Sequence, residues 1–368
     1  MSDDEYADDF EEYDGDNSKV SEHEHKQRDD DDGDGGDGDG CGSALADVTS
    51  SYGGDGGAPR FEAIDFRDVT MGKQVGGGGV GIVYEGYFQG RAVALKTLFD
   101  PRVDDALKRE YTDELHVMAR LRHPNVVRFD GACVEPPNLC FVMELCEHSL
   151  YQRLHQPAQC GTEEVDERTA AELLLGTAQA MLYLHDEVRP AIVHRDLKSH
   201  NVLVDGAGVA KLCDFGLVGS KVVSAGTPAY MAPELLEGTR GAVSRKADVY
   251  AFGIMLWEAL SREVPWDGCE LEDIRRNVCE LEARPGVPRA RASSGRAGAA
   301  AVADLYALAA RCWAPRSAER PEFREVVAEM RAAIAELPAA SRGGLDSIEL
   351  LDAAGGFGDD ALASLMRK

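Results

Sequence analysis

Residues His194 to Asn201 read HRDLKSHN, and thirteen residues after Asn201 come Asp214, Phe215 and Gly216. Within this short stretch stand a carboxylate (Asp196), a cation (Lys198) and two side chains carrying hard oxygens (Asn201, Asp214). That is the set phosphoryl transfer needs around a hydroxyl nucleophile and a nucleotide γ-phosphate. A solitary Asp reads first as a solvated turn residue. An eight-residue string followed by a second motif at the expected distance leaves coincidence negligible. The other parts of such a site should then appear upstream and downstream in a set order.

Upstream, Gly76-Gly77-Gly78-Gly79-Val80-Gly81-Ile82-Val83 places Gly76, Gly78 and Gly81 at GxGxxG spacing. In glycine-rich sequence that spacing alone is weak, and a flexible turn is the plain alternative. Context narrows the choice. A dinucleotide-binding loop would open a helix, yet Ile82-Val83-Tyr84-Glu85-Gly86-Tyr87 is β-branched and aromatic. A Walker A loop would carry Lys-Ser/Thr straight after the last glycine, where Ile82-Val83 stand. A strand–loop–strand hairpin over the phosphates remains. Val93-Ala94-Leu95-Lys96 follows at strand spacing, and a buried Lys96 would need a carboxylate partner to stay charged. The helical stretch 103–121 offers Glu110, Asp113 and Glu114.

Composition limits the alternatives. The net charge of −27 is concentrated in residues 1–58, where 20 Asp/Glu face 3 Lys/Arg. This disfavours nucleic-acid binding, which needs a basic face. Nine cysteines, an odd number without a CxxC pair, suggest neither a zinc site nor a disulfide framework. Reduced thiols in the cytoplasm or nucleus are the simplest reading. No signal peptide, lipidation motif or 18-residue apolar run is found, so no membrane insertion is expected.

Residues 1–58 are predicted to be a disordered acidic tail, too poor in apolar side chains to offset ordering entropy. The Asp30, Asp32, Asp34, Gly35 register resembles a calcium loop, but its twelfth position is Cys41 rather than Glu, so specific calcium binding is not expected. Ordered sequence begins near 61–66. Short β-prone runs at 68–100, 126–134 and 139–144 enclose the helical stretch 103–121. Helical patterns follow at 168–186, 247–262, 299–313 and 322–336. The predicted fold is α+β and two-lobed, with a cleft between a β-rich and a helical lobe.

These motifs together resemble the eukaryotic protein kinases over residues 66–337, with an N-lobe at 66–143, a C-lobe at 147–337 and a flexible tail at 338–368. HPNVVRFDGAC, HRDLKSHN, DVYAFGIMLWE and CW…RPEF look like the tyrosine-kinase-like group, which acts mostly on Ser/Thr. The resemblance implies Asp196 orienting the substrate hydroxyl, Lys198 neutralising the transferring phosphoryl group, and Asn201 and Asp214 holding Mg2+. It implies ATP between Val83 and Ala94 above and Leu203 below, with Lys96 on its phosphates. The adenine would meet the hinge backbone at Glu144 and Cys146, and Met143 would be gatekeeper. Alignment on LRHPN selects Glu114 as the partner of Lys96, with Glu110 one turn away as fallback. GTPAYMAPE (226–234) resembles a Ser/Thr docking floor, with Thr227 beside Asp196 and Lys198, Glu234 paired to Arg320, and Asp248 supporting the catalytic loop. His148, standing where the group often has Gly, and the Arg/Ala/Gly-rich segment 283–300 depart from its usual pattern; the latter is expected to be a floppy loop.

The expected activity is ATP-dependent phosphorylation of Ser/Thr in protein substrates. The rival is a pseudokinase or scaffold, which would usually lack the equivalents of Lys96, Asp196 or Asp214. Ser220, Ser224 and Thr227 are the hydroxyls of a short activation segment. Phosphorylation of Ser224, or second Ser220, would pair with Arg195. Cys213 is expected at the floor of the nucleotide site, reacting slowly with alkylating agents and protected by ATP. In the tail, Tyr6, Phe10 and Tyr13 at helical spacing within acidic surroundings would suit a basic partner or substrate; a merely solubilising tail is the alternative.

Overall fold

A computed structural model describes residues 61–78, 81–98, 105–135, 138–218, 225–239, 241–286 and 296–339. The acidic tail with its aromatic stripe and calcium-like run, the C-terminal segment from 340, and Ser220 and Ser224 fall outside the described residues.

The chain opens with a meander of β1 (Val69–Gly78), β2 (Gly81–Phe88) and β3 (Arg91–Leu98). Gln89 and Gly90 join the last two with both φ angles positive, the requirement of a type I′ hairpin. Helix α1 (Asp105–Met118) follows, then β4 (Phe129–Cys133) and β5 (Cys140–Glu144). The antiparallel sheet runs β1-β2-β3-β5-β4. Tyr111 docks α1 on this sheet, its ring stacked on Phe141 at 4.5 Å. Ahead of the expected domain start at 66, residues 61–65 lie along the free edge of β4. Ile64 N–H donates to Ala132 O (2.9 Å), and Ala132 N–H to Glu62 O (3.0 Å). The close approach requires glycine at 131, because a Cβ there would sit 2.4 Å from Glu62 O.

The second lobe begins with β6 (His148–Ser149) and α2 (Leu150–His155), whose start is closed by a Ser149/Gln152 capping box. α3 (Pro157–Cys160), α4 (Glu167–Leu182), β7 (Val202–Val204) and β8 (Ala210–Leu212) follow. After them come α5 (Pro233–Leu236), α6 (Arg245–Ser261), α7 (Leu271–Arg275), α8 (Arg296–Cys312) and α9 (Phe323–Glu336). Every residue of α6 from Ala247 to Ser261 is buried, so this helix is the post around which α4 and α8 pack. β6, β7 and β8 pair in that order as a small second sheet.

Both described ends of the segment 283–300, expected to be a floppy loop, are ordered, and residues 287–295 lie outside the described residues. Arg284 donates to Trp313 O (2.9 Å), and Trp257 Nε1 donates to Gly286 O (2.8 Å). Helix α8 then begins at Arg296, so part-buried hydrogen bonds tie down the near end of this segment and helix forms the far end.

The turn between α1 and β4 anchors one lobe on the other. Asn125 Nδ2 donates to Ala210 O (3.0 Å), Leu212 N–H to Asn125 O (2.8 Å), and Val127 N–H to Leu212 O (2.9 Å). Gly176 of α4 permits this, since a Cβ there would lie 2.7 Å from Asn125 Nδ2.

Candidate active site

The strand register assembles the upper wall of the cleft. Val83 faces Gly76 on one side and Lys96 on the other; Ala94 faces Met143 and Lys96 faces Phe141. Directly opposed residues share a face, so Val83, Ala94, Lys96 and Met143 line one surface. Gly78 and Gly81 close the β1–β2 turn above it. Leu203 of β7, half-buried, belongs to the opposing lobe. At the hinge, Glu144 N–H donates to Arg128 O (2.9 Å), so what Glu144 can offer an adenine is its carbonyl. Its carboxylate turns away, accepting from Arg128 N–H (2.7 Å) and pairing with Lys211 (3.2 Å). The Cys146 thiol is pushed up to about 12, by burial first and by the Glu144 charge second.

Lys96 lies 2.7 Å from Glu114 Oε1 and 3.3 Å from Asp214 Oδ1. Glu114 is therefore the carboxylate that α1 turns to the strand. Burial works against the Lys96 charge, but Glu114 and Asp214 outweigh it and hold the ammonium above its usual range. Burial pushes the Glu114 carboxyl up while Lys96 opposes it, and at this distance the pair is ionic.

Asp196 is the focus of the catalytic loop. Its Oδ1 accepts from Thr227 N–H (3.0 Å) and Thr227 Oγ1 (2.9 Å). Its Oδ2 lies 2.8 Å from Lys198 Nζ and 3.0 Å from Asn201 Nδ2. Burial alone would raise Asp196; the Lys198 and Thr227 bonds prevail and hold it below the usual carboxylate range. Lys198 also donates to Thr227 Oγ1 (2.6 Å). With its amide nitrogen spent on Asp196, Asn201 has its oxygen to offer a cation.

Asp214, with a side chain 46% exposed and φ at 63°, faces the cleft. Among the described residues no group of three His, Cys, Asp or Glu could hold a metal. One amide oxygen and one carboxylate are too few for a protein cage. They suit Mg2+, which is usually held by one or two carboxylates and completed by substrate phosphates.

Cys213 donates to Asn201 O (3.3 Å), and burial, then the Asp214 charge, pushes its thiol well up. The neighbouring Lys96 opposes this without prevailing, so the expected slow alkylation has little thiolate to draw on.

The sequence profile described as the protein kinase domain matches residues 69–330. The chain belongs to the protein kinase domain family. Its relatives include the probable serine/threonine-protein kinase SIS8 of Arabidopsis thaliana, 36% identical over 72% of this chain and 25% of that protein. The serine/threonine-protein kinase CTR1 of the same plant is 36% identical over 73% of this chain and 32% of its own length. The probable serine/threonine-protein kinase drkA of Dictyostelium discoideum is 37% identical over 61% and 35%. The match thus spans between a quarter and about a third of these relatives, and the tyrosine-kinase-like resemblance stands with it.

The kinase domain holds its catalytic loop in backbone geometry that non-glycine residues resist: Arg195 has φ 73°. Asp248, on the buried post α6, keeps it there. Its carboxylate accepts from His194 N–H (2.9 Å), Arg195 N–H (2.8 Å) and His185 Nε2 (2.8 Å). His194 meets Phe215 edge-on at 5.1 Å. Arg320, fully buried, makes a bidentate pair with Glu234 (2.6 and 2.8 Å). Sequence reading missed a second buried carboxylate, Glu258. It accepts from Ser199 Oγ (2.8 Å) and Tyr230 OH (2.9 Å) and lies 3.0 Å from His155 Nε2, bracing the loop from below. A lone Glu in the apolar run of α6 was the available signal, because buried acids are almost always paired.

Proposed function

We propose that this kinase domain transfers the γ-phosphate of ATP to Ser or Thr hydroxyls of protein substrates. The observation that carries this is the unbroken set Glu114–Lys96–Asp214, which joins the two lobes, and Asp196–Lys198–Thr227 in the second lobe. Lys96 positions phosphate oxygens, its charge kept by Glu114. Asp196, held ionised, orients the incoming hydroxyl and accepts its proton late. Lys198 neutralises charge on the phosphoryl group in flight and, through Thr227, ties the loop to the docking floor. Asn201 and Asp214 would hold Mg2+, which when bound offsets the charge developing on the phosphates. Lys198 together with Thr227 supports Ser/Thr over Tyr.

Incubation with labelled ATP, Mg2+ and a basic generic substrate tests this. Label on Ser or Thr is expected, and nucleotide binding without any transfer would favour the pseudokinase or scaffold reading. We further propose a role in signalling in the cytoplasm or nucleus, supported by an odd number of cysteines without a CxxC pair. Phosphorylation of Ser224 or Ser220 is proposed as its regulator through Arg195; full activity in the double Ala variant would contradict that.

A further inference from the structure

Two cysteines that the site does not use lie opposite each other in the N-lobe sheet. Cys133 ends β4 and Cys140 begins β5, and they form a register pair. Both are buried, both are free thiols, and each perturbs the other's ionisation across the ladder. They share the outer core of the sheet with Ile64, Phe88 and Val142. The opposite face carries Phe141 and α1. From that side the Tyr111 hydroxyl reaches both cysteine carbonyls, Cys133 O at 2.9 Å and Cys140 O at 3.1 Å. Tyr111 stands one turn before Glu114 on the same helix.

We propose that Cys133 and Cys140 form a reversible disulfide on exposure to a hydroperoxide, and that its closure is transmitted through Tyr111 to α1 and the Lys96–Glu114 pair. Opposed residues of an antiparallel ladder have Cα atoms about 4.5–5.5 Å apart, inside the ~4.4–6.8 Å range that a disulfide accepts. Closure draws the Cβ atoms from roughly 4.5–5.5 Å to about 3.8 Å. The two carbonyls must then turn, and one hydroxyl bridges both of them. The Cys133 sulfur attacks a peroxide oxygen, breaking the O–O bond to leave a sulfenic acid and water. The Cys140 sulfur then displaces that oxygen as a second water. Two thiols are oxidised by two electrons and one hydrogen peroxide is reduced to two waters. Access runs through the strap at residues 61–65, pinned to β4 by the two backbone bonds at Ala132.

The test uses the full chain, treated with hydrogen peroxide, alkylated, and digested without reductant by a protease that cuts at Leu139 between the two cysteines. A peptide pair joined through Cys133 and Cys140, released by dithiothreitol, is expected. Amide exchange across α1 should rise roughly tenfold in the oxidised protein, the size of losing one buried hydrogen bond, and fall again on reduction. No bridge while the more exposed Cys269 and Cys279 oxidise would overturn the proposal, as would a bridge with unchanged α1 exchange. The mapping is made on the wild type and does not depend on a variant folding. Tyr111→Phe keeps the ring stack and removes the hydroxyl. It should bridge as readily without the α1 response, and a full response in it would overturn the route through Tyr111. Exchange reads the switch without phosphotransfer, so its failure is distinguishable from failure of the kinase reading.

Discussion

In the proposed mechanism Lys96, Asp196 and Asp214 each have a separate task. Lys96→Met, Asp196→Asn and Asp214→Ala are expected to lower phosphotransfer by roughly 10²–10⁴, each removing charge stabilisation or proton handling. Steady-state rates check this, and near-wild-type activity in any one would remove that residue from the mechanism. Asp214→Ala should also weaken Mg-ATP binding in a nucleotide titration, whereas Asp196→Asn should not. At Cys213, a thiol pushed up by burial leaves too little thiolate for ready chemistry. Mass spectrometry should find Cys213 labelled by iodoacetamide more slowly than the half-buried Cys279; faster labelling would contradict the burial argument.

At the scale of elements, the α1–β4 turn carries a pH dependence. His123 Nδ1 accepts from Asn125 N–H (3.1 Å), and the ring stacks on Tyr183. Burial lowers its pKa, opposed by Glu187, so the neutral ring is the folded form. The unfolded chain therefore binds the extra proton more readily. The resulting stability is present above the ordinary histidine value of about 6.5 and is lost as pH falls through the lowered folded value. Thermal unfolding of His123→Gln should lose part of the wild-type decline in Tm below that pH; identical profiles would exclude the turn as its source. The Glu234–Arg320 pair joins α5 to the turn before α9. Glu234→Gln leaves a buried guanidinium without its charge partner, an expected loss of about 3–5 kcal/mol in denaturant unfolding. A loss below about 1 kcal/mol would mean that the carbonyls around Arg320 suffice.

For the whole molecule, the acidic stretch 1–58 is the part whose role the kinase site does not explain. Deleting it is expected to leave activity on short peptides unchanged and to reduce it on a basic protein substrate, an effect that weakens with salt. Equal loss on both would assign the stretch to supporting the fold, and no loss on either would leave it a solubilising extension. The two lobes meet through Asn125, Leu212 and Gly176, with Lys211 of the second lobe paired to Glu144 at the hinge. The Asn125 contacts belong to the same turn that holds His123.

HRDLKSHN and the Asp214-Phe215-Gly216 string were legible because their chemistry is contiguous. Residues within a few positions of each other must meet wherever the chain goes, so type and spacing sufficed for Asp196, Lys198 and Asn201. Two lobes and the long helices were legible for a similar reason, since periodicity is local. The partner of Lys96 was legible only through the LRHPN resemblance, which selected Glu114; residue type and spacing alone left Glu110 open. Glu110 and Glu114 lie one turn apart, and only the rotation of α1, set by Tyr111 against Phe141, turned Glu114 to the strand. Nor could any local pattern place Glu258 beneath the catalytic loop, the strap on β4 or Cys133 against Cys140. Each joins segments distant in sequence or sets which face of a strand is buried, and burial belongs to the packed lobe rather than to the string of residues.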